Sequence, residues 1–87
     1  MNDLTFYGDS WSEYLEWEVT DKRKYKKINE LIKDIKRNGP MQGIGKPEPL
    51  RYQDGYSRRI DEKNRLVYRI DELQNIEIMS CKGHYER

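Results

Sequence analysis

A single carboxylate, Glu48, stands between Pro47 and Pro49 and is surrounded in sequence by cations: Lys46, Arg51, Arg58, Arg59 and Arg65. Proline fixes its own φ and drives the residue before it toward extended geometry, so Glu48 is held with little backbone freedom. A restrained base beside several cations suits the handling of a phosphodiester, whose negative charge grows in the transition state. Near the end of the chain its one histidine, His84, stands next to Tyr85. Histidine titrates near neutral pH and can donate a proton to a leaving oxygen. Together these groups suffice for cleavage of RNA without a metal: a base for the ribose 2′-OH, cations for the phosphorane and an acid for the departing 5′-oxygen. Each also has a structural alternative. Glu48 can salt-bridge Lys46 or Arg51, Arg58, Arg59 and Arg65 can dress a solvated strand face, and His84 can be a tail residue.

Other chemistries are poorly supplied. One histidine and one cysteine do not make a four-ligand N/S zinc site, and the carboxylates lack EF-hand spacing. No metal and no cofactor is expected. Cys81 lies in an alternating apolar stretch and reads as an inert core thiol. Gly43-Ile44-Gly45-Lys46 resembles the end of a phosphate-binding loop but lacks the full glycine spacing and a following helix.

The elements that must position these residues follow from periodicity. Leu4 to Tyr7 reads as a short strand. Ser10 followed by Glu13 has the spacing of a capping box, opening a helix with Trp11, Tyr14, Leu15 and Val19 on one face. Asp21 caps a second helix, in which Tyr25, Ile28, Leu31, Ile32 and Ile35 recur every three or four residues and Asn38-Gly39-Pro40 ends the run. Met41 to Leu50 reads as loop. Tyr56 to Ile60, Arg65 to Ile70 and Ile76 to Cys81 alternate as strands separated by short turns. Ile76, Ile78 and Ser80 are expected on one face of the last. The implied fold is α+β in the order β-α-α-β-β-β, with a helical hairpin on one face of a twisted, mainly antiparallel sheet. One domain spanning residues 1–87 is expected. The turn between the second and third strands brings Arg59 and Arg65 to one side of a hairpin.

Composition frames the partners. With 34% hydrophobic and 38% charged residues among 87, the core must be thin, although seven Tyr and two Trp argue for a folded chain. The net charge of +1 hides a segregation. Residues 1–20 hold five acidic residues and no Lys or Arg, whereas residues 21–37 hold eight basic and three acidic ones, a local net of +5. Such a face suits nucleic acid or another polyanion; a solvated helix face is the alternative. The single cysteine fits a reducing compartment. There is no membrane-length apolar run and no signal-peptide pattern, so a cytoplasmic location is expected.

The chain resembles the YoeB/Txe group of bacterial toxins, within the RelE superfamily of ribosome-dependent mRNA interferases. The likeness runs through Trp11 with Tyr14-Leu15, Asp21-Lys22-Arg23, Lys26 to Lys33, Gly45-Lys46-Pro47-Glu48-Pro49-Leu50, Ser57-Arg58-Arg59-Ile60, Arg65-Leu66-Val67-Tyr68 and His84-Tyr85. The resemblance implies a RelE-like fold and a type II toxin that cleaves mRNA in the A site of the 70S ribosome. It places Glu48 as general base, Arg65 as the transition-state cation, His84 as general acid and Tyr85 as the substrate-positioning ring. Lys46, Arg51 and Arg59 fall on basic positions for the substrate, with Arg58 beside them. It further implies silencing by a YefM-type antitoxin and operator DNA binding only as the toxin–antitoxin complex, and it admits a homodimer. The chain departs from the family pattern in a shorter connection from Leu50 to Ser57, in Gly83 where an aromatic is usual, and in the added Glu86-Arg87. The alternative reading is a non-catalytic module that binds RNA or the ribosome, or that pairs with an antitoxin as a DNA-binding corepressor.

Overall fold

The computed structural model describes residues 3–83. The order is β1 (Leu4–Phe6), α1 (Ser10–Thr20), α2 (Lys22–Asn38), β2 (Glu48–Pro49), β3 (Tyr56–Arg59), β4 (Arg65–Ile70) and β5 (Ile76–Ser80). They build one five-stranded sheet in the order β1-β5-β4-β3-β2. The three hairpin-linked strands β3, β4 and β5 pair antiparallel as their short turns require, and β1 lies parallel to β5 at the sheet's edge. The α+β class and the helical hairpin match expectation. The two-residue strand β2 does not: the stretch read as loop ends by pairing Glu48 with Ser57 and Pro49 with Tyr56. Proline tolerates that position because β2 is an outer strand, where a missing N–H donor costs no ladder bond.

Helix α2 forms the apolar wall. Ile28, Leu31, Ile32 and Ile35 are buried and meet Leu66, Tyr68, Ile76 and Ile78 of the sheet. Each such side chain contributes on the order of 1.5–3 kcal/mol by leaving water. Asp21 caps α2 by accepting from the Arg23 and Lys24 amides, and Gly39 ends it at φ 88°.

Helix α1 differs from the reading of its sequence. Trp11 is 50% exposed, Leu15 39% and Val19 83%, so the apolar face read from the spacing is largely open apart from Tyr14. The side that meets the protein runs through Ser10, Tyr14 and Trp17. Ser10 and Glu13 do not form a capping box. The Ser10 hydroxyl donates to the Ile78 carbonyl at 3.0 Å, and the Glu13 carboxylate accepts from the Cys81 amide at 2.8 Å. Trp17 donates its indole N–H to the Cys81 carbonyl at 2.7 Å. These side chains are spent on backbone groups in and just after β5: the Ile78 carbonyl, which also accepts from the Tyr7 amide at 2.9 Å, and the amide and carbonyl of Cys81. A register shift between β4 and β5 sets Ile78 opposite Tyr68 but Ser80 opposite Val67. The alternation therefore slips: Ser80 leaves the face of Ile76 and Ile78, and Cys81 joins the core in its place.

Candidate active site

Alternation along β3 and β4 divides their side chains between two faces. Tyr56, Leu66 and Tyr68 turn toward the helices, while Ser57, Arg59, Arg65 and Val67 turn away. Glu48 pairs with Ser57 and so joins that second face. Its carboxylate stands 4.0 Å from the Arg65 guanidinium. Arg59 is directly opposite Arg65 in register, as the four-residue turn implied.

Arg65 is only 8% exposed and is held from several sides. Its Nε donates to the Ser57 hydroxyl at 2.9 Å, and Nη2 reaches the Lys46 carbonyl at 3.4 Å and the Ser57 carbonyl at 3.5 Å. Burial first, and then the nearby Arg59 cation, lower its pKa from the ordinary arginine value. Arginine nevertheless remains charged at any physiological pH. A buried cation with a fixed guanidinium plane is suited to an anion whose charge develops in place, because little reorganisation is needed. Glu48 is about one-third exposed and can meet both the cation and a substrate. Ser57 was not singled out in the sequence; its only signal was its place beside the Arg58-Arg59 pair.

Lys46 is exposed, with a left-handed backbone at φ 52°. It precedes Pro47 and lends its carbonyl, rather than its charge, to Arg65. Arg51 is exposed in the loop beyond β2, outside the row formed by Glu48, Ser57 and Val67.

Arg58 departs from its expected place among the substrate cations. It points to the helical side and is fully buried. Its guanidinium pairs with Asp34 and donates to the carbonyls of Gly39 (2.8 Å), Gln42 (2.7 Å) and Ile44 (2.9 Å), and its Nε donates to the Tyr68 hydroxyl (3.0 Å). Tyr68 in turn donates to the Pro40 carbonyl. The Arg58 hydrogen bond, acting against partial burial, lowers the Asp34 carboxyl pKa. Strand alternation gave this answer to a sequence that has two consecutive arginines: one must face in. The inward one organises residues 39–46, the loop that leads to Glu48.

The same loop explains Gly43 and Gly45. A Cβ on Gly43, at φ 115°, would lie 1.7 Å from an Asp34 carboxylate oxygen, and one on Gly45, at φ 82°, would lie 2.7 Å from Leu31. These glycines serve close packing of the loop on α2. The Asp34 carboxylate also accepts from the Ile44 amide at 3.0 Å.

His84 and Tyr85 lie outside the described residues. The residue before them is well placed. Gly83 accepts from the Arg65 amide at 3.1 Å and donates to the Asn64 side chain at 2.7 Å. The root of the tail is thus bonded to the first residue of β4, beside Arg59 and Arg65, and not merely hinged there. Cys81 is fully buried; burial, and secondarily the Glu13 carboxylate, push its thiol up to about 12. Among the described residues, no three His, Cys, Asp or Glu side chains gather as a metal-binding group. No helix among them is long and apolar enough to cross a membrane.

Residues 6–85 match the family described as the YoeB-like toxin of the bacterial type II toxin–antitoxin system. Toxin YoeB of Escherichia coli K12 is 52% identical over 84 residues, covering 94% of this chain and 98% of that protein. Toxin YoeB of Synechocystis is 50% identical over 86 residues, covering 97% and 98%. Among solved structures, the heterotetrameric YoeB–YefM toxin–antitoxin complex from Staphylococcus aureus superposes with a TM-score of 0.88 at 46% identity, covering 98% of this chain and 99% of the other. The YoeB dimer from the same organism gives 0.89 at 48%, covering 97% and 98%. Escherichia coli YafQ shares the fold at 15% identity and a TM-score of 0.69, over 97% and 94%. With the helical hairpin, the five-stranded sheet and nearly the whole length in common with these toxins, the chain belongs to the YoeB family of type II toxin–antitoxin toxins.

Proposed function

We propose that this toxin is a ribosome-dependent endoribonuclease that cuts mRNA in the A site without a metal ion and thereby stops translation. The observation that carries the reading is the Glu48 carboxylate 4.0 Å from a buried Arg65, with Arg59 opposite it and the root of the tail bonded to Arg65. Glu48 takes the proton of a ribose 2′-OH, and the 2′-oxygen attacks the adjacent phosphorus. Arg65 and Arg59 stabilise the charge on the phosphorane. His84 protonates the 5′-oxygen as the P–O bond breaks, leaving a 2′,3′-cyclic phosphate and a 5′-hydroxyl, and Tyr85 positions the substrate. Lys46 and Arg51, both exposed, draw the RNA backbone toward this face.

The complex of S. aureus YoeB with YefM supports a YefM-type antitoxin as the partner of this chain. The S. aureus YoeB dimer supports a homodimer. Operator DNA is bound only through the toxin–antitoxin complex, and the site of action is the cytoplasm.

The test compares cut sites on a defined mRNA with and without ribosomes, each with and without EDTA-treated protein and buffer that keeps the ribosome's own magnesium. Cleavage in the A site that needs the ribosome and survives stripping of the protein is expected. Cutting of free RNA at equal rate, or loss of activity after stripping, would sink the mechanism.

A further inference from the structure

Beyond the paired Glu48 and Arg65, a cavity of about 420 Å³ opens on the neighbouring part of the sheet. One wall is the short connection after Leu50, through Gln53, Asp54 and Gly55; the other is Arg69 of β4 with Glu77 of β5. Gly55 makes the approach possible. At φ 133° its backbone comes so close that a Cβ would lie 3.0 Å from Leu50 and 3.2 Å from the Arg69 stem. Pro49 lines the cavity as well and immediately follows Glu48. It pairs with Tyr56, one step along the strands from the Glu48–Ser57 pair. Arg69 lies four residues beyond Arg65, roughly 13 Å along the strand and on the same face. The cavity therefore starts next to the Glu48–Arg65 pair and extends along the strands to Arg69.

Its chemistry disfavours a second phosphate. Two carboxylates, Asp54 and Glu77, belong to the lining, and Arg69 already pairs with Glu77 at 3.1 Å. A cation so neutralised adds little attraction for an anion, while the carboxylates repel one. The same groups suit the edge of a base. Asp54 is exposed and accepts hydrogen bonds, and the Arg69 side chain is 43% exposed, with its Nε and one Nη turned to Glu77. Arginine has five donors, so N–H groups remain for a ring nitrogen or carbonyl. Glu77 is further fixed by the Tyr7 hydroxyl at 3.4 Å, and Arg69 lies over the Tyr7 ring. A splayed base meets an acceptor beside a donor, the arrangement that single-stranded RNA readers use. The volume falls in the range of small-ligand sites.

We propose that this cavity receives the base of a nucleotide flanking the cleaved bond and favours bases that carry an exocyclic amino group over uracil. The amino group donates to Asp54 and the neighbouring acceptor takes a hydrogen bond from Arg69. The proposal rests on the nuclease reading above, and its test separates the two.

Ribosome-bound mRNAs are prepared with each of the four bases on either side of the cleaved bond. Cleavage is then timed with the natural protein, Asp54→Ala and Arg69→Ala, with thermal melts as a check on folding. At one of the two positions, adenine, cytosine and guanine should be cut about tenfold faster than uracil, the size of one good base contact. In Asp54→Ala the ratio should fall toward one. Equal rates for all four bases in the natural protein, or an undiminished ratio in Asp54→Ala, overturns the assignment. If the natural protein cuts nothing, the nuclease reading has failed and binding decides. Titration with 2′-O-methyl trinucleotides should then move the Gly55 and Arg69 amide resonances with adenine or cytosine but not with uracil alone. Absence of that difference overturns the cavity as a base site.

Discussion

At the scale of single residues, Arg65 and the helix lysines carry the same charge but occupy different physical situations. Arg65 is buried, hydrogen-bonded through Ser57 and aligned beside Glu48. Lys22 and Lys33 are exposed on α2, where salt screens any interaction beyond a Debye length of about 8–10 Å. Arg65→Ala should lower single-turnover cleavage at saturating ribosome roughly a hundredfold or more, the usual cost of one transition-state donor. Lys22→Ala and Lys33→Ala should leave that rate alone and weaken binding, increasingly so at low salt. An unchanged rate for Arg65→Ala removes it from the reaction. Ser57→Ala should fall between, because it loosens Arg65 without removing the charge.

At the scale of elements, loop 39–46 depends on one buried guanidinium. Arg58→Met keeps the bulk but strands the Asp34 carboxylate and three loop carbonyls. Breaking a buried pair by removing one partner costs about 3–5 kcal/mol, so a clearly lower denaturation midpoint is expected. A midpoint within error of the natural protein would mean the loop is held by other contacts. The turn between β3 and β4 makes a different prediction. Burial raises the Asp61 carboxyl pKa, but the Asn64 side chain, the Lys63 and Asn64 amides and Lys24 more than offset it, leaving a value of about 2. Because that lies below the unfolded value of about 3.9, the carboxylate stabilises the fold at pH above about 4. That contribution disappears as pH falls toward 2. Urea midpoints for the natural protein and Asp61→Asn should differ most at neutral pH and converge in acid. A constant difference down to pH 2 contradicts the assignment.

On the scale of the whole molecule, the sheet presents two unlike faces. The helical side is core, and the other carries Glu48, Arg59 and Arg65. Helix α1 clamps the end of β5 through Ser10 at Ile78 and through Glu13 and Trp17 at Cys81, two residues before Gly83, whose backbone is bonded to Asn64 and Arg65. Deleting residues 84–87 removes none of these contacts. The truncated protein should melt close to the intact one yet lose cleavage, except for slow residual activity from Glu48 and the arginines. Thermal melts and primer-extension mapping on the same preparation decide. A normal melt with full activity would mean that the proton donor lies elsewhere.

Much of this arrangement was already determined by local sequence. Apolar residues at helical spacing in α2, the Asp21 cap, the Gly39 exit and the alternation of β3 to β5 depend on neighbours a few positions apart. Period-2 alternation and a short turn led to the expectation that Arg59 and Arg65 share one side of a hairpin, and the register of β3 and β4 sets them opposite each other. What required tertiary structure were contacts between distant residues. Ser10 and Glu13 have the spacing of a cap, but backbone groups 68 residues away compete for them and win. Arg58 reads as a surface cation until Asp34 and the loop carbonyls are brought around it. The short strand at Glu48–Pro49 exists only because β3 lies beside it, and the parallel place of β1 depends on β5, more than 70 residues later. Local preference is worth tenths of a kcal/mol per residue, whereas an unpaired buried polar group costs about 1–3 kcal/mol. Where the two compete, the demand of the buried group decides, and only the folded chain reveals which groups are buried.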